Sequence, residues 1–181
     1  MPFEIRIIDS NTSIMLLESD RLIIREAAVE EAPFYFKLFN DPDWITYIND
    51  KGLRSVEETR DYLEDILLKN ALLNGLGFFT IISKDTDEPI GMSSALQREN
   101  LDFIDVGYAL LPKSRGKGFA SEATLLMMDY IKEKFQQEKV YAFTIPNNEK
   151  SQRLLENLGF VFVGMKSIFE GKEDCVYEFT F

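Results

Sequence analysis

The apolar and polar positions along the chain change period several times, and their order predicts a fold. Residues 21–25 alternate as a strand with one buried face. Residues 29–39 take helical spacing, with Glu30 and Glu31 suited to the first turn and Pro33 tolerated near the start. Asp41-Pro42-Asp43 reads as a turn, and 44–48 as a short apolar piece. Ser55 and Glu58 have the spacing of a capping box opening a helix to about residue 70, with Asn74-Gly75 beyond its end. Strands are expected over 78–83, 90–96 and 101–111, joined by polar turns at 85–89 and 97–100 of hairpin length. A helix over 119–135, a strand over 140–145 and a helix over 149–158, stopped by Gly159, come next. Strands over 160–167 and 175–181, around a turn at 170–174, close the chain.

The alternation of strands and helices predicts an α/β fold, a mixed sheet with helices on both faces. Residues 1–181 read as one domain without repeats or linkers, and 1–17 as either a short extra strand or a flexible arm. A chain of 181 residues suits one domain with a substantial core. With 45% hydrophobic and 28% charged residues it reads as a soluble globular protein. Its apolar runs are too short to span a bilayer, and 1–17 lack the pattern of a signal peptide, so a cytoplasmic location is expected.

Charge and composition then narrow the chemistry. The formal charge of −11 opposes nonspecific nucleic-acid binding and is compatible with a cationic acceptor. The lone cysteine, Cys175, reads as a small core residue rather than a nucleophile. The chain has no histidine, which removes His-based nucleophilic triads, imidazole-zinc sites and the usual general base. Acid–base work falls to carboxylates, tyrosine, lysine, hydroxyls, water or the backbone. No metal site is called for.

The segment DVGYALLPKSRGKGFAS (105–121) carries the most information. An apolar strand breaks at Pro112 into a turn with Gly116 and Gly118, and a helix follows at once. Such a turn lets backbone amides approach an anion, usually phosphate, at the positive end of the helix. Arg115 and Lys117 add two cations. The P-loop pattern is absent. The dinucleotide fingerprint nearly fits but has Ser121 in place of its third glycine, and Glu138 precedes the next strand instead of closing it, so a nicotinamide oxidoreductase fits poorly. The pattern [QR]-x-x-G-x-[GA] is met by Arg115, Gly118 and Ala120.

On that pattern the segment resembles the pyrophosphate loop of the GNAT N-acetyltransferases, which use acetyl-CoA. IPNNEKSQRLLENLGF is similar to the family's N-x-x-S-x-x-x-x-x-x-G-F helix, with Asn148, Ser151, Gly159 and Phe160 in register. SDRLIIRE, NDPDWITYI and EPIGMSS resemble the branch that acetylates ribosomal-protein N-termini. The likeness implies a mostly antiparallel sheet, splayed at the fourth strand, with CoA in the gap. It implies that the amides of Gly116, Lys117, Gly118, Phe119, Ala120 and Ser121 hold the pyrophosphate with Arg115 beside them. The pantetheine arm would pair along Ala109, Leu110 and Leu111, where Leu110 or Leu111 offers an oxyanion N–H. Asn148 would contact the arm, or cap a helix, or both. Ser151, on one helix face with Leu154, Leu155 and Leu158, is the candidate for protonating the thiolate; the family's tyrosine four residues on is Leu155 here, which leaves Ser151 or water for that step. Asp105 is the candidate base, directly or through water; strict alternation puts it with Gly107, Ala109 and Leu111, and a bulge would reverse that. Tyr108 and Tyr141 are alternatives, each also readable as a core tyrosine. Phe34, Trp44 and Tyr47 are expected near the acceptor pocket. The acceptor is an amine, on a small molecule or a protein N-terminus, used by a monomer or homodimer without nucleic acid or membrane. A CoA-binding module without turnover is the other reading.

Overall fold

Strand by strand, the chain lays down a sheet in the order β1-β2-β3-β4-β5-β6-β7-β9-β8, nine strands among the described residues. The structure is a computed structural model, and it describes residues 4–8, 14–72, 75–99, 101–168 and 173–181. The strands are β1 (Glu4–Ile8), β2 (Ile14–Glu18), β3 (Leu22–Glu26), β4 (Gly77–Ser83), β5 (Glu88–Leu96), β6 (Asp105–Leu110), β7 (Lys139–Thr144), β8 (Val161–Lys166) and β9 (Asp174–Thr180). The helices are α1 (Ala32–Phe39), α2 (Pro42–Tyr47), α3 (Val56–Leu72), α4 (Phe119–Phe135) and α5 (Glu149–Asn157). Every strand pair is antiparallel except β6 with β7. The α/β class, the antiparallel bias and the helices on both faces are those expected.

Four local expectations change. The segment 1–17 contributes β1 and β2, paired from Glu4↔Glu18 to Ile8↔Ile14, so the predicted fourth strand is the sixth here. The strand expected over 101–111 begins only at Asp105, because the Leu101 amide donates to the Arg98 carbonyl at 3.1 Å and Gln97 Nε2 donates to the Leu101 carbonyl at 2.7 Å. That polar clasp lengthens the turn. The apolar piece 44–48 is helical: Asp41 caps α2 by accepting from the Asp43 amide at 3.1 Å, and Pro42 occupies its first turn. The helix expected over 29–39 opens as a 3-10 turn, Val29–Glu31, before α1. Glu31 makes that break by accepting from the Ala28 amide at 2.9 Å and from Thr80 Oγ1 at 2.6 Å, with Arg25 paired to it at 2.8 Å. Of the predicted turn residues, Asn74, Asn100 and 170–172 lie outside the described residues.

The helix α4 matches its prediction at both ends. At the start of α3, Ser55 Oγ accepts from the Glu58 amide at 3.0 Å, while the Glu58 carboxylate accepts from the Arg54 amide at 2.6 Å, one residue earlier than in a standard capping box.

Side-chain alternation divides the sheet into two faces. One face buries Leu22, Ile24, Phe79, Ile81, Val106 and Leu110 under α4 and α5. The other packs Met92, Phe78, Ala109 and Leu111 against α1, α2 and α3. The β5–β6 register runs unbroken from Gly91↔Leu110 to Leu96↔Asp105, so no bulge intervenes and Asp105 shares the second face with Gly107 and Ala109. No helix among the described residues is long and apolar enough to cross a membrane.

Candidate active site

The parallel pairing of β6 with β7 is confined to the level of Asp105↔Tyr141. Beyond that point the two strands part, and the edge of β6 faces a gap. Backbone parity identifies which groups line it. The Leu111 amide donates to the Ile90 carbonyl at 2.9 Å, so residues 111, 109, 107 and 105 direct their backbone toward β5. The intervening residues turn theirs the other way: the Ile104 carbonyl accepts from the Tyr141 amide at 3.0 Å, and Tyr108 and Leu110 come next along that edge. Of the residues expected to line the gap, Leu110 does so. Ala109 and Leu111 are committed to β5, which removes Leu111 as an oxyanion donor. Tyr108 takes a place that strand alternation would have shown.

At the end of β6 the chain makes a 3-10 turn, Pro112–Ser114, and enters the glycine loop. Gly116 has φ +72° and Gly118 φ +80°, left-handed values that glycine adopts without strain. Gly118 is the N-cap of α4 and brings no side chain to it, so the first-turn amides of Phe119, Ala120 and Ser121 have no intrahelical acceptor. A Cβ at Gly116 would meet nothing within 4 Å, so that side of the loop is open. The loop is braced from behind. Arg21 donates to the Lys117 carbonyl at 2.9 Å, pairs with Glu122 and lies 4.7 Å over the Phe119 ring.

Arg115 is placed differently from the expectation that it stands beside a phosphate. Its Nε donates to the Leu110 carbonyl at 2.9 Å, its Nη1 to Asp43 at 2.6 Å, and its Nη2 pairs with Asp41. One guanidinium thus ties the end of β6 to the cap of α2. That makes it a brace between the loop and the helix that carries Trp44.

Across the gap, α5 starts at Asn148, whose Oδ1 accepts from the Ser151 amide at 3.2 Å. The cap leaves the amide nitrogen of Asn148 as a donor, so both expected roles are compatible. Ser151 Oγ accepts from the Tyr108 hydroxyl at 3.2 Å. Burial pushes the Tyr108 phenol up, and the bond to Ser151 only partly offsets it. Leu155 is buried in the core, and the hydroxyl that reaches Ser151 comes from Tyr108 of β6.

Asp105 stands at the vertex of the gap, only 3% exposed, on the face opposite Tyr108. Arg98 grips both its oxygens, at 2.6 and 3.2 Å. Burial raises its pKa and the guanidinium draws it partly back, with a net rise. Removing the partner from a buried pair costs about 3–5 kcal/mol. Arg98→Met is therefore expected to lower stability by about 3 kcal/mol at neutral pH. Because Asp105 titrates higher folded than unfolded, its ionisation costs stability as pH rises, and the deficit should shrink on acidification. Urea unfolding at pH 7 and pH 4.5 checks this; an equal deficit at both would detach the effect from Asp105.

On the α1–α3 face, Trp44 is buried beside Phe39 at 4.8 Å, and Phe34 packs on the same cluster. Tyr47 is half-buried on α2. Sequence reasoning passed over Lys51. Its Nζ donates to the Tyr62 hydroxyl at 2.7 Å and lies 4.9 to 6.0 Å from the rings of Tyr62, Phe39, Trp44 and Phe78. No periodic signal marks it, since it comes from the loop between α2 and α3. Cys175 is buried with its Sγ 3.5 Å from Met165 Sδ, as a core residue would be.

Comparison with known proteins shows the family and the fold. The family model "Acetyltransferase (GNAT) domain" matches residues 21–161. The uncharacterized N-acetyltransferase p20 of Bacillus licheniformis is 31% identical over 170 residues, covering 91% of this chain and 94% of that protein. Among solved structures, RimL, a ribosomal L7/L12 alpha-N-protein acetyltransferase, superposes with a TM-score of 0.79 at 16% identity, covering 96% of this chain and 98% of the other. The Microcin C7 self immunity acetyltransferase MccE, solved with acetyl-CoA and AMP, gives 0.77 at 17% identity, covering 90% and 94%. The chain belongs to the GNAT family and is an acetyltransferase.

Proposed function

We propose that the protein transfers the acetyl group of acetyl-CoA directly to a primary amine, both substrates being bound together, in the cytoplasm. The observation that carries this reading is the convergence on one gap of a free β6 edge, an uncapped helix start and the Tyr108–Ser151 pair. These groups fit acetyl-CoA. Amides 116–121 suit the pyrophosphate, the Tyr108 backbone suits the pantetheine arm, and Asn148 adds a donor. The MccE structure, which holds acetyl-CoA, supports the same ligand. Acetyl-CoA supplies an activated acyl carbon on a good leaving group.

Each of this chain's groups then has one task. The Leu110 N–H faces the gap and stabilises negative charge developing on the acyl oxygen. The Tyr108 hydroxyl, relayed through Ser151, protonates the departing thiolate. Asp105, expected as the base, serves in this reading as the anchor of the vertex, since accepting a proton would break the Arg98 pair. The amine loses its proton to water before attack, which an α-amine, with its pKa of about 8, does readily. Holding the two reactants aligned supplies much of the acceleration, on the order of 7–11 kcal/mol.

The test is thiol release from acetyl-CoA with N-terminal peptides, polyamines, aminoglycosides and free amino acids. Release that depends on an added amine supports the proposal. Tight acetyl-CoA binding without release from any acceptor would favour a binding module.

A further inference from the structure

Lys51 is an unusual place for a charge. Its ammonium lies among four aromatic rings from α1, α2, α3 and β4, with no carboxylate paired to it among the described residues. Its hydrogen-bond partner is the Tyr62 hydroxyl, which leaves two N–H donors unused. Tyr62 cannot neutralise the lysine near pH 7, since burial and Asp65 push its phenol up to about 12. Burial alone draws Lys51 down to about 8, the sign of a cation with nothing to compensate it. A second donor in the same cluster is also unmatched: among the described residues, Trp44 Nε1 is buried without an acceptor. Aromatic faces attract the cation but offer no lone pair to either donor. In a chain of formal charge −11, an unpaired cation beside an orphaned N–H is a place for an anion.

The site adjoins the proposed reaction centre. Phe78, Ser94 and Gly107 pair in one row across β4, β5 and β6, on the face that carries the aromatic cluster. Gly107 directly precedes Tyr108. Two strand spacings, about 10 Å, therefore separate the floor of the cluster from the gap. We propose that Lys51 and Trp44 Nε1 bind a carboxylate of the acceptor, so that the substrate class is an amine that also carries a carboxylate. This rests on the acetyl-transfer reading for the word acceptor, while the anion site stands on its own geometry. Two sources share the chemistry: a free amino acid, or a peptide N-terminus with an acidic side chain nearby.

The chain has a single tryptophan, so intrinsic tryptophan fluorescence reports on this cluster alone. Wild-type fluorescence is expected to titrate near pH 8 as Lys51 loses its proton, and Lys51→Met to lack that step. Glutamate and a Ser-Glu peptide should move the step upward by at least half a pH unit and bind saturably. Glutamine amide and a Ser-Gln peptide amide should do neither. Comparing glutamate with Ser-Glu identifies the source. In thiol release, carboxylate-bearing amines should exceed their amide partners at least tenfold in kcat/KM, a preference lost in Lys51→Met and retained in Lys51→Arg. Unchanged calorimetric acetyl-CoA affinity verifies that each variant is folded. The proposal is overturned if carboxylates leave the Trp44 titration unmoved, or if Lys51→Met keeps the preference. Carboxylate binding without any thiol release would overturn the acetyl-transfer reading and leave the anion site standing.

Discussion

Gly118→Trp is expected to weaken acetyl-CoA binding at least 100-fold, about 2.7 kcal/mol, while the protein still unfolds in one cooperative transition. Gly118 has φ +80° at the start of α4, where a bulky side chain is strained by about 1–3 kcal/mol. A Cβ there would already stand 3.3 Å from Arg21 Nη2, so the indole must also push aside the group that holds the Lys117 carbonyl. The amides at 116–121 would lose their common direction, and the space in front of them would be filled. Gly116→Ala separates strain from obstruction. It has a similar φ of +72° but no neighbour within 4 Å, so it should cost about 1–2 kcal/mol of stability and only a few-fold in affinity. Calorimetric titration with acetyl-CoA and thermal unfolding of both variants decide the matter. A folded Gly118→Trp protein with native affinity would mean that the pyrophosphate lies elsewhere.

The sequence was most legible where one local rule acts alone. The helix α4 matches at both ends because a glycine turn precedes it and its core positions repeat every three or four residues. The glycine loop was legible because two left-handed residues beside a helix start leave few alternatives. Legibility failed where side chains act at a distance. The strand to Leu110 looked longer than it is because Gln97 and Arg98 capture the backbone of Leu101, which no periodicity records. Arg115 reads as a phosphate ligand until Asp41 and Asp43, more than 70 positions earlier, are brought against it. Lys51 sits in a polar loop that patterning ignores, and only the packing of α1, α3 and β4 turns it into a caged cation. Tyr108 reads from the sequence as an alternative base or a core tyrosine, and its alignment with Ser151 arises only once α5 packs against β6.

Tyr108→Phe and Ser151→Ala should each lower kcat about 100-fold while acetyl-CoA affinity changes less than twofold. The Asn148 cap uses the Ser151 amide, so deleting the hydroxyl leaves α5 intact. The phenol reaches Ser151 of α5 from β6, and its loss removes one hydroxyl without emptying core volume. If the two hydroxyls form one proton path, the double variant should be no slower than the worse single, since groups acting as a unit are strongly non-additive. Independent contributions would instead multiply to about 10⁴-fold. The bond of 3.2 Å is long, as such contacts often are before the reactive complex tightens them. The pH profile supplies the sign. An acid works only while protonated, and burial moves the Tyr108 phenol up, so kcat should show no alkaline fall from this group below about pH 10. Were Tyr108 the base, kcat would climb toward that pH. Additive losses accompanied by weaker acetyl-CoA binding would reduce both hydroxyls to packing, and the leaving thiolate would then take its proton from water.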